Sequence, residues 1–248
     1  MELTLGTVAI LIGAGLATGF INAVAGGGSA ISLPVLEALL GATAANGTNR
    51  IAILFANASA VLGYTRGEAM PWRRVAGAIP AAVVGAAVGA WTATRLDNDA
   101  MKKVFAFVLV FIAVSVLTKP TVWLKERNER AVRQPWRSLV FFGIGFYGGF
   151  VQAGVGFLLL AGLVLAEGLD LVRGNGAKVL LILLYTPVAL AFFAQAAAVN
   201  WAVGLTMAIG NTAGSYLAAR LAVTRGARWI RWLLVVVAVG AAVRMLLA

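Results

Sequence analysis

The chain has 248 residues, of which 61% are hydrophobic and 12% charged, against about 25% charged in an ordinary soluble domain. It has no cysteine and no histidine, which excludes disulfides, thiolate metal sites and histidine-dependent catalysis. Its net charge of +11 sits in short loops between apolar runs, where basic residues orient membrane spans rather than grip nucleic acid.

The first apolar run, 4–25, follows Met1-Glu2-Leu3, which lacks the basic start of a cleaved signal peptide. It is expected to be retained as structure. It ends on Gly26-Gly27-Gly28, and a short run follows at 29–41. A helix of about thirteen residues reaches only ~20 Å, against a hydrocarbon core of ~30 Å. The pair therefore reads as a hairpin that enters the membrane and turns back. Runs at 47–65, 73–94 and 101–118 complete the first half. The basic stretch 119–137 is the one long polar segment, too short to be a domain.

The second half repeats this order at 138–153, 156–168, 176–197, 201–222 and 229–247, with its own glycine break at Gly154-Val155-Gly156. At a shift of 130 residues, Gly15, Gly19, Phe20, Ala23 and Gly26 meet Gly145, Gly149, Phe150, Ala153 and Gly156. Asn22 meets Gln152, and Glu37 meets Glu167. At a shift of 129, Asn46-Gly47 meets Asn175-Gly176, Trp72 meets Trp201, and Gly85 meets Gly214. The organisation is a first repeat over 1–118, a basic linker over 119–137 and a second repeat over 138–248.

Arg66, Arg73, Arg74, the linker, Arg173, Arg220, Arg225, Arg228 and Arg231 collect on one side; Arg50, Arg95, Lys102, Lys103 and Arg244 collect on the other. The richer side is predicted to be cytoplasmic, which leaves both termini outside. Five segments per half make the repeats inverted, a transporter architecture with its site near the midplane. The predicted fold is an all-α integral membrane protein of two inverted repeats, each a glycine-broken hairpin plus three transmembrane helices.

Gly19-Phe20-Ile21-Asn22-Ala23-Val24-Ala25-Gly26-Gly27-Gly28, then Pro34, then Asn46-Gly47-Thr48-Asn49, resembles the sulfite exporter TauE/SafE family. Gly148-Gly149-Phe150-Val151-Gln152-Ala153-Gly154-Val155-Gly156 and Asn175-Gly176-Ala177-Lys178 carry the same resemblance in the second half. It covers nearly the whole chain. It implies movement of sulfite, sulfonates or related sulfur-containing anions across a bacterial inner membrane, in the export direction by the family's name. Membership alone leaves the anion open.

An anion in a low-dielectric site needs donors and positive potential, and helix N-termini supply both. If the hairpins enter from opposite faces, Gly26, Gly27 and Gly28 approach Gly154 and Gly156, and the short helices beginning near Ser29 and Phe157 point at one site. Tight helix packing is the alternative role for these glycines. Lys178 is the expected cation, with snorkelling to the surface as its alternative; Arg50 has the same ambiguity at the outer face. Asn49 and Thr48 are candidate donors, while Asn46 and Asn175 are expected to cap helix starts. Asn22, Gln152 and Ser29 add uncharged donors around the tips. Glu37 and Glu167 are candidates for proton coupling, or else surface residues at the far ends of the short helices.

No Gly-Lys-Ser/Thr follows either glycine cluster at P-loop spacing, so the chain carries no nucleotide-binding loop of that kind. No carboxylate pair suggests sodium or calcium, and Asp97, Asp99 and Asp170 all fall at segment ends. No cofactor is expected. The expected partners are a small anionic substrate and the lipid bilayer. The predicted function is secondary transport by alternating access, not an enzymatic activity. An anion channel, or a membrane scaffold with no substrate of its own, is the competing reading.

Overall fold

A computed structural model describes residues 3–67, 70–118 and 135–247. Residues 119–134 of the expected linker lie outside them. The helices are α1 (Leu5–Val24), α2 (Ser29–Leu40), α3 (Ala42–Arg66), α4 (Trp72–Ala76), α5 (Ile79–Ala93), α6 (Asn98–Thr118), α7 (Trp136–Phe150), α8 (Val155–Glu167), α9 (Leu171–Gln195) and α10 (Trp201–Leu247). The described residues contain no strand.

Local chemistry sets the helix ends. Thr4 caps α1 by accepting from Thr7 N. Asp170 caps α9, its Oδ1 accepting from Val172 N and Arg173 N at 2.9 Å each. Gly168, left-handed at φ 62°, closes α8 while Leu169 N bonds back to Leu163 O, the common glycine termination of a helix.

Two features depart from the sequence reading. The third helix of each half starts earlier, at Ala42 and Leu171, rather than at 47 and 176. The run at 73–94 is broken at Gly77-Ala78 into α4 and α5. Pro80, in the first turn of α5, has no N–H to continue the ladder. Gly226, with non-helical backbone (φ 69°, ψ −170°), breaks α10 into two helices, in keeping with the two segments expected on either side of a loop before 229.

Polarity is distributed inside out. Ile10, Phe55, Leu62, Trp91, Phe107, Ile209 and Leu217 are exposed, while Arg50 and Lys178 are fully buried. In water such a surface would aggregate; in lipid it is the solvated face. By length and composition alone, α1 and α9 are long and apolar enough to cross a bilayer.

The halves interlock. α1 packs on α10, α7 on α5, and α3 on both α9 and α10. The first two crossings are glycine-lined. A Cβ at Gly19 would fall 2.1 Å from Asn211 O, and one at Gly214 would fall 2.1 Å from Leu16 O. In the other crossing, a Cβ at Gly149 would fall 2.1 Å from Ala86 O, and one at Gly85 would fall 2.2 Å from Phe142 O. Backbones this close are the mark of small-residue packing in membranes. The first helix of each half thus rests on a helix of the other half, with glycines at matching positions.

Candidate functional site

Two turns meet inside the helices. α1 ends at Val24, and Gly26 reverses the chain into α2 with φ 84°. α7 ends at Phe150, and Gln152 (φ 66°) and Gly154 (φ 68°) reverse it into α8. Tyr147 Oη braces this second turn by donating to Ala153 O at 2.6 Å. A Cβ at Gly26 would lie 2.4 Å from Gly156 C, and one at Gly156 would lie 2.3 Å from Gly26 Cα. The two turns are therefore in backbone contact, and Gly27 faces the Phe157 ring. The N–H groups of Ser29 and Gly156 have no backbone acceptor among the described residues.

Two buried cations flank these turns. Lys178, on α9, donates to Asn22 O at 2.8 Å, Ala23 O at 3.2 Å and Asn175 Oδ1 at 2.6 Å. Arg50, on α3, donates from Nη1 to Gly148 O at 3.2 Å and from Nη2 to Gly149 O at 2.5 Å and Asn46 Oδ1 at 3.3 Å. Its guanidinium lies 4.5 Å from the Phe193 ring centre. The carbonyl end of a helix carries partial negative charge, so cations settle there. The first-half cation holds the end of α7, and the second-half cation holds the end of α1.

Neither cation pairs with a carboxylate among the described residues. Glu37 pairs with Lys102 at 3.8 Å, Glu167 with Arg137 at 2.5 Å, and Asp170 with Arg173 at 3.7 Å. A charge taken out of water costs several kcal/mol unless it is compensated. The centre of the molecule thus holds a buried lysine and a buried arginine whose recorded partners are carbonyl and amide oxygens rather than carboxylates.

Several buried polar groups of the described residues are also unmatched, not all of them at the turns. Both side-chain amide atoms of Asn49 and of Gln152, the Tyr185 hydroxyl and Arg50 Nε have no hydrogen-bond partner. Each such group costs ~1–3 kcal/mol. Tyr185 Oη lies beside Gly148, the residue whose carbonyl Arg50 holds. Gln152 is in addition a non-glycine residue in left-handed backbone, a conformation costing ~1–3 kcal/mol that clusters at functional sites.

The structure sorts the candidates from sequence. Gly26, Gly27, Gly154, Gly156 and Gln152 share the paired turns. Asn22 meets Lys178 through its backbone carbonyl, and Gly28 packs against Thr18 O and the Asn22 side chain. Asn49 and Ser29 are buried. Thr48 Oγ1 accepts from Asn200 N at 2.9 Å, tying α3 to the start of α10. Glu37 and Glu167 lie toward the far ends of α2 and α8, paired to bases.

Two readings are corrected. Asn46 and Asn175 do not cap helices; they lie inside α3 and α9 and accept from Arg50 and Lys178. Arg50 is not at the outer face, because it is fully buried; Lys178 is fully buried as well, in keeping with the expected inner cation rather than its snorkelling alternative. The shared cause is the earlier start of α3 and α9, which carries both cations two turns into their helices. Arg50, ambiguous between cavity and outer face in the sequence, is a central group, and Tyr185 stands beside it. The available signal for Arg50 was an arginine directly followed by a long apolar run.

The family model for "Sulfite exporter TauE/SafE" matches residues 11–245. A "Probable membrane transporter protein ORF9" from Sinorhizobium sp. is 30% identical, across 99% of this chain and 94% of that protein. A probable membrane transporter protein from Haemophilus influenzae is 27% identical, across 95% of this chain and 93% of its own. The "Probable membrane transporter protein YfcA" of Escherichia coli K12 is 25% identical, across 92% and 85%. No solved structure matches the chain.

Proposed function

Because the chain belongs to the sulfite exporter TauE/SafE family of multi-pass membrane transporters, we propose that it carries small sulfur-containing anions, sulfite or an organosulfonate, between the paired turns. The observation that carries this reading is the pair of buried cations, Arg50 and Lys178, with no carboxylate partner among the described residues. An anion beside them supplies the missing charge. The unmatched amides of Asn49 and Gln152 and the Tyr185 hydroxyl supply donors suited to sulfur-bound oxygens. The first N–H groups of α2 and α8 add donors and favourable dipoles.

In this reading the two halves are inverted repeats, and rocking one against the other opens the turns to each side in succession. With Gly26 and Gly156 in contact and the central polar groups buried, the present arrangement corresponds to the closed step of this cycle. On opening, an anion takes the donors of Gln152 and Asn49, and the cations shift from carbonyl ends toward it. Uncharged amides bind weakly enough to release the anion on the far side. The protein lies in the bacterial inner membrane with both termini periplasmic, and export follows an outward gradient. Glu37 and Glu167 are left to ion pairing at the helix ends, so this cycle does not require a proton on either.

The test is flux in proteoliposomes loaded in turn with sulfite, sulfoacetate, taurine, sulfate and chloride, with and without a pH gradient. Protein-dependent movement of one sulfur anion ahead of chloride supports the reading. Acceleration by the gradient would return Glu37 and Glu167 to the cycle. Chloride moving as fast as the rest is the result of a channel, and no flux from folded, inserted protein removes the proposal.

A further inference from the structure

Away from the paired turns, at the other end of α8, a cavity of about 410 Å³ opens beside the start of α9. Arg73 and Arg74 of α4 and Arg173 of α9 line it, and Met70, Trp72 and Leu169 give it an apolar side. Trp72 is half exposed at the first position of α4, as aromatic residues are at a membrane–water boundary. Leu169 is buried and closes the inner wall.

Among the described residues, the charge balance around this cavity is positive. Arg137 joins the cluster by donating from Nη2 to Arg74 O at 2.7 Å. Against Arg73, Arg74, Arg137 and Arg173 stand Glu167 and Asp170, four cations to two carboxylates, leaving two positive charges among the described residues. Both carboxylates are already committed. Glu167 holds Arg137, and Asp170 Oδ1 caps α9 while its Oδ2 sits 3.7 Å from Arg173 Nε. Arg74 Nη1 donates to Glu167 O at 3.2 Å, which fixes that side chain at the cavity wall. Arg73 makes no hydrogen bond or ion pair among the described residues.

We infer that this cavity binds the phosphate of an anionic phospholipid. Arginine forks match phosphate oxygens in pairs. The apolar side of Met70, Trp72 and Leu169 fits the glycerol and first acyl carbons of a lipid, which a free inorganic anion would leave uncovered. Basic pockets between helices at headgroup level hold such lipids. The cavity is distinct from the paired turns, but Arg173 and Lys178 share α9, so a bound lipid would also steady the helix that bears the central lysine.

The experiment measures lipid binding to the delipidated full chain in detergent by native mass spectrometry, with thermal melting as a second readout. The probes are phosphatidylglycerol, phosphatidylcholine and glycerol phosphate. Phosphatidylglycerol is expected to bind and raise the melting temperature, and phosphatidylcholine to do neither. Each arginine removed weakens binding about fivefold, so Arg73→Gln loses about that factor and the combined change of Arg73, Arg74 and Arg173 to Gln loses on the order of 100-fold. Arg73→Gln breaks no hydrogen bond or ion pair among the described residues, so it remains interpretable if the triple variant fails to fold. Undiminished phosphatidylglycerol binding in Arg73→Gln would overturn the site. Glycerol phosphate binding as tightly as the lipid would overturn the lipid source in favour of a soluble phosphate.

Discussion

At the scale of single residues, the proposed function rests on groups that are expensive to bury. Lys178 and Arg173 lie five positions apart on α9, yet one is fully buried on helix-end carbonyls and the other is exposed at the surface. Lys178→Ala is therefore expected to weaken sulfur-anion binding at least tenfold, whereas Arg173→Ala leaves it within about twofold; equal losses in calorimetric titrations would contradict the assignment. A tenfold loss corresponds to about 1.4 kcal/mol, well within the value of one charge-assisted contact. Gln152 gives a trade-off. Replacing it with glycine removes the left-handed strain and one unmatched amide, so thermal stability should rise by about 1 kcal/mol while anion binding falls. A variant that gains stability with unchanged binding would return Gln152 to a structural role.

At the scale of elements, the helix order was legible because apolar runs and glycine breaks survive in composition. The starts of α3 and α9 were not. Asn46-Gly47 and Asn175-Gly176 look like breakers and caps in water, but here Gly47 and its neighbours lie inside α3, where a Cβ at Gly47 would meet Ala198 O at 2.0 Å. A glycine that serves close packing resembles a glycine that ends a helix until the neighbour is known. That five-residue displacement hid Arg50 among the surface cations. It also turned the asparagine partners of both cations into supposed caps. The contact of Gly26 with Gly156 pairs residues 130 apart in sequence, and only the matched glycine clusters hinted at it. Close packing also makes a prediction. Gly19→Ala sets a methyl against Asn211 O at the α1–α10 crossing, and overpacking of this kind costs ~1–3 kcal/mol. The melting temperature in detergent should fall, and an unchanged value would mean that the helices separate freely there.

At the scale of the whole molecule, each half holds the other. Arg50 closes the end of α7 and Lys178 the end of α1, while α1 and α7 rest on α10 and α5. Such reciprocity suits a carrier, because moving either half disturbs both cations together. Orientation is testable because the chain has no cysteine. A single cysteine at Arg66 is expected to resist an impermeant maleimide added to whole cells, and one at Asp97 to react. The reverse pattern would invert the predicted topology. The most direct test of the central claim is sulfite and sulfonate flux in proteoliposomes, comparing the native chain with Lys178→Met and Arg50→Met. The account predicts flux of a sulfur anion ahead of chloride in the native protein, and its loss in both variants while they remain folded. Native-rate flux in either folded variant would contradict a site built around these two cations.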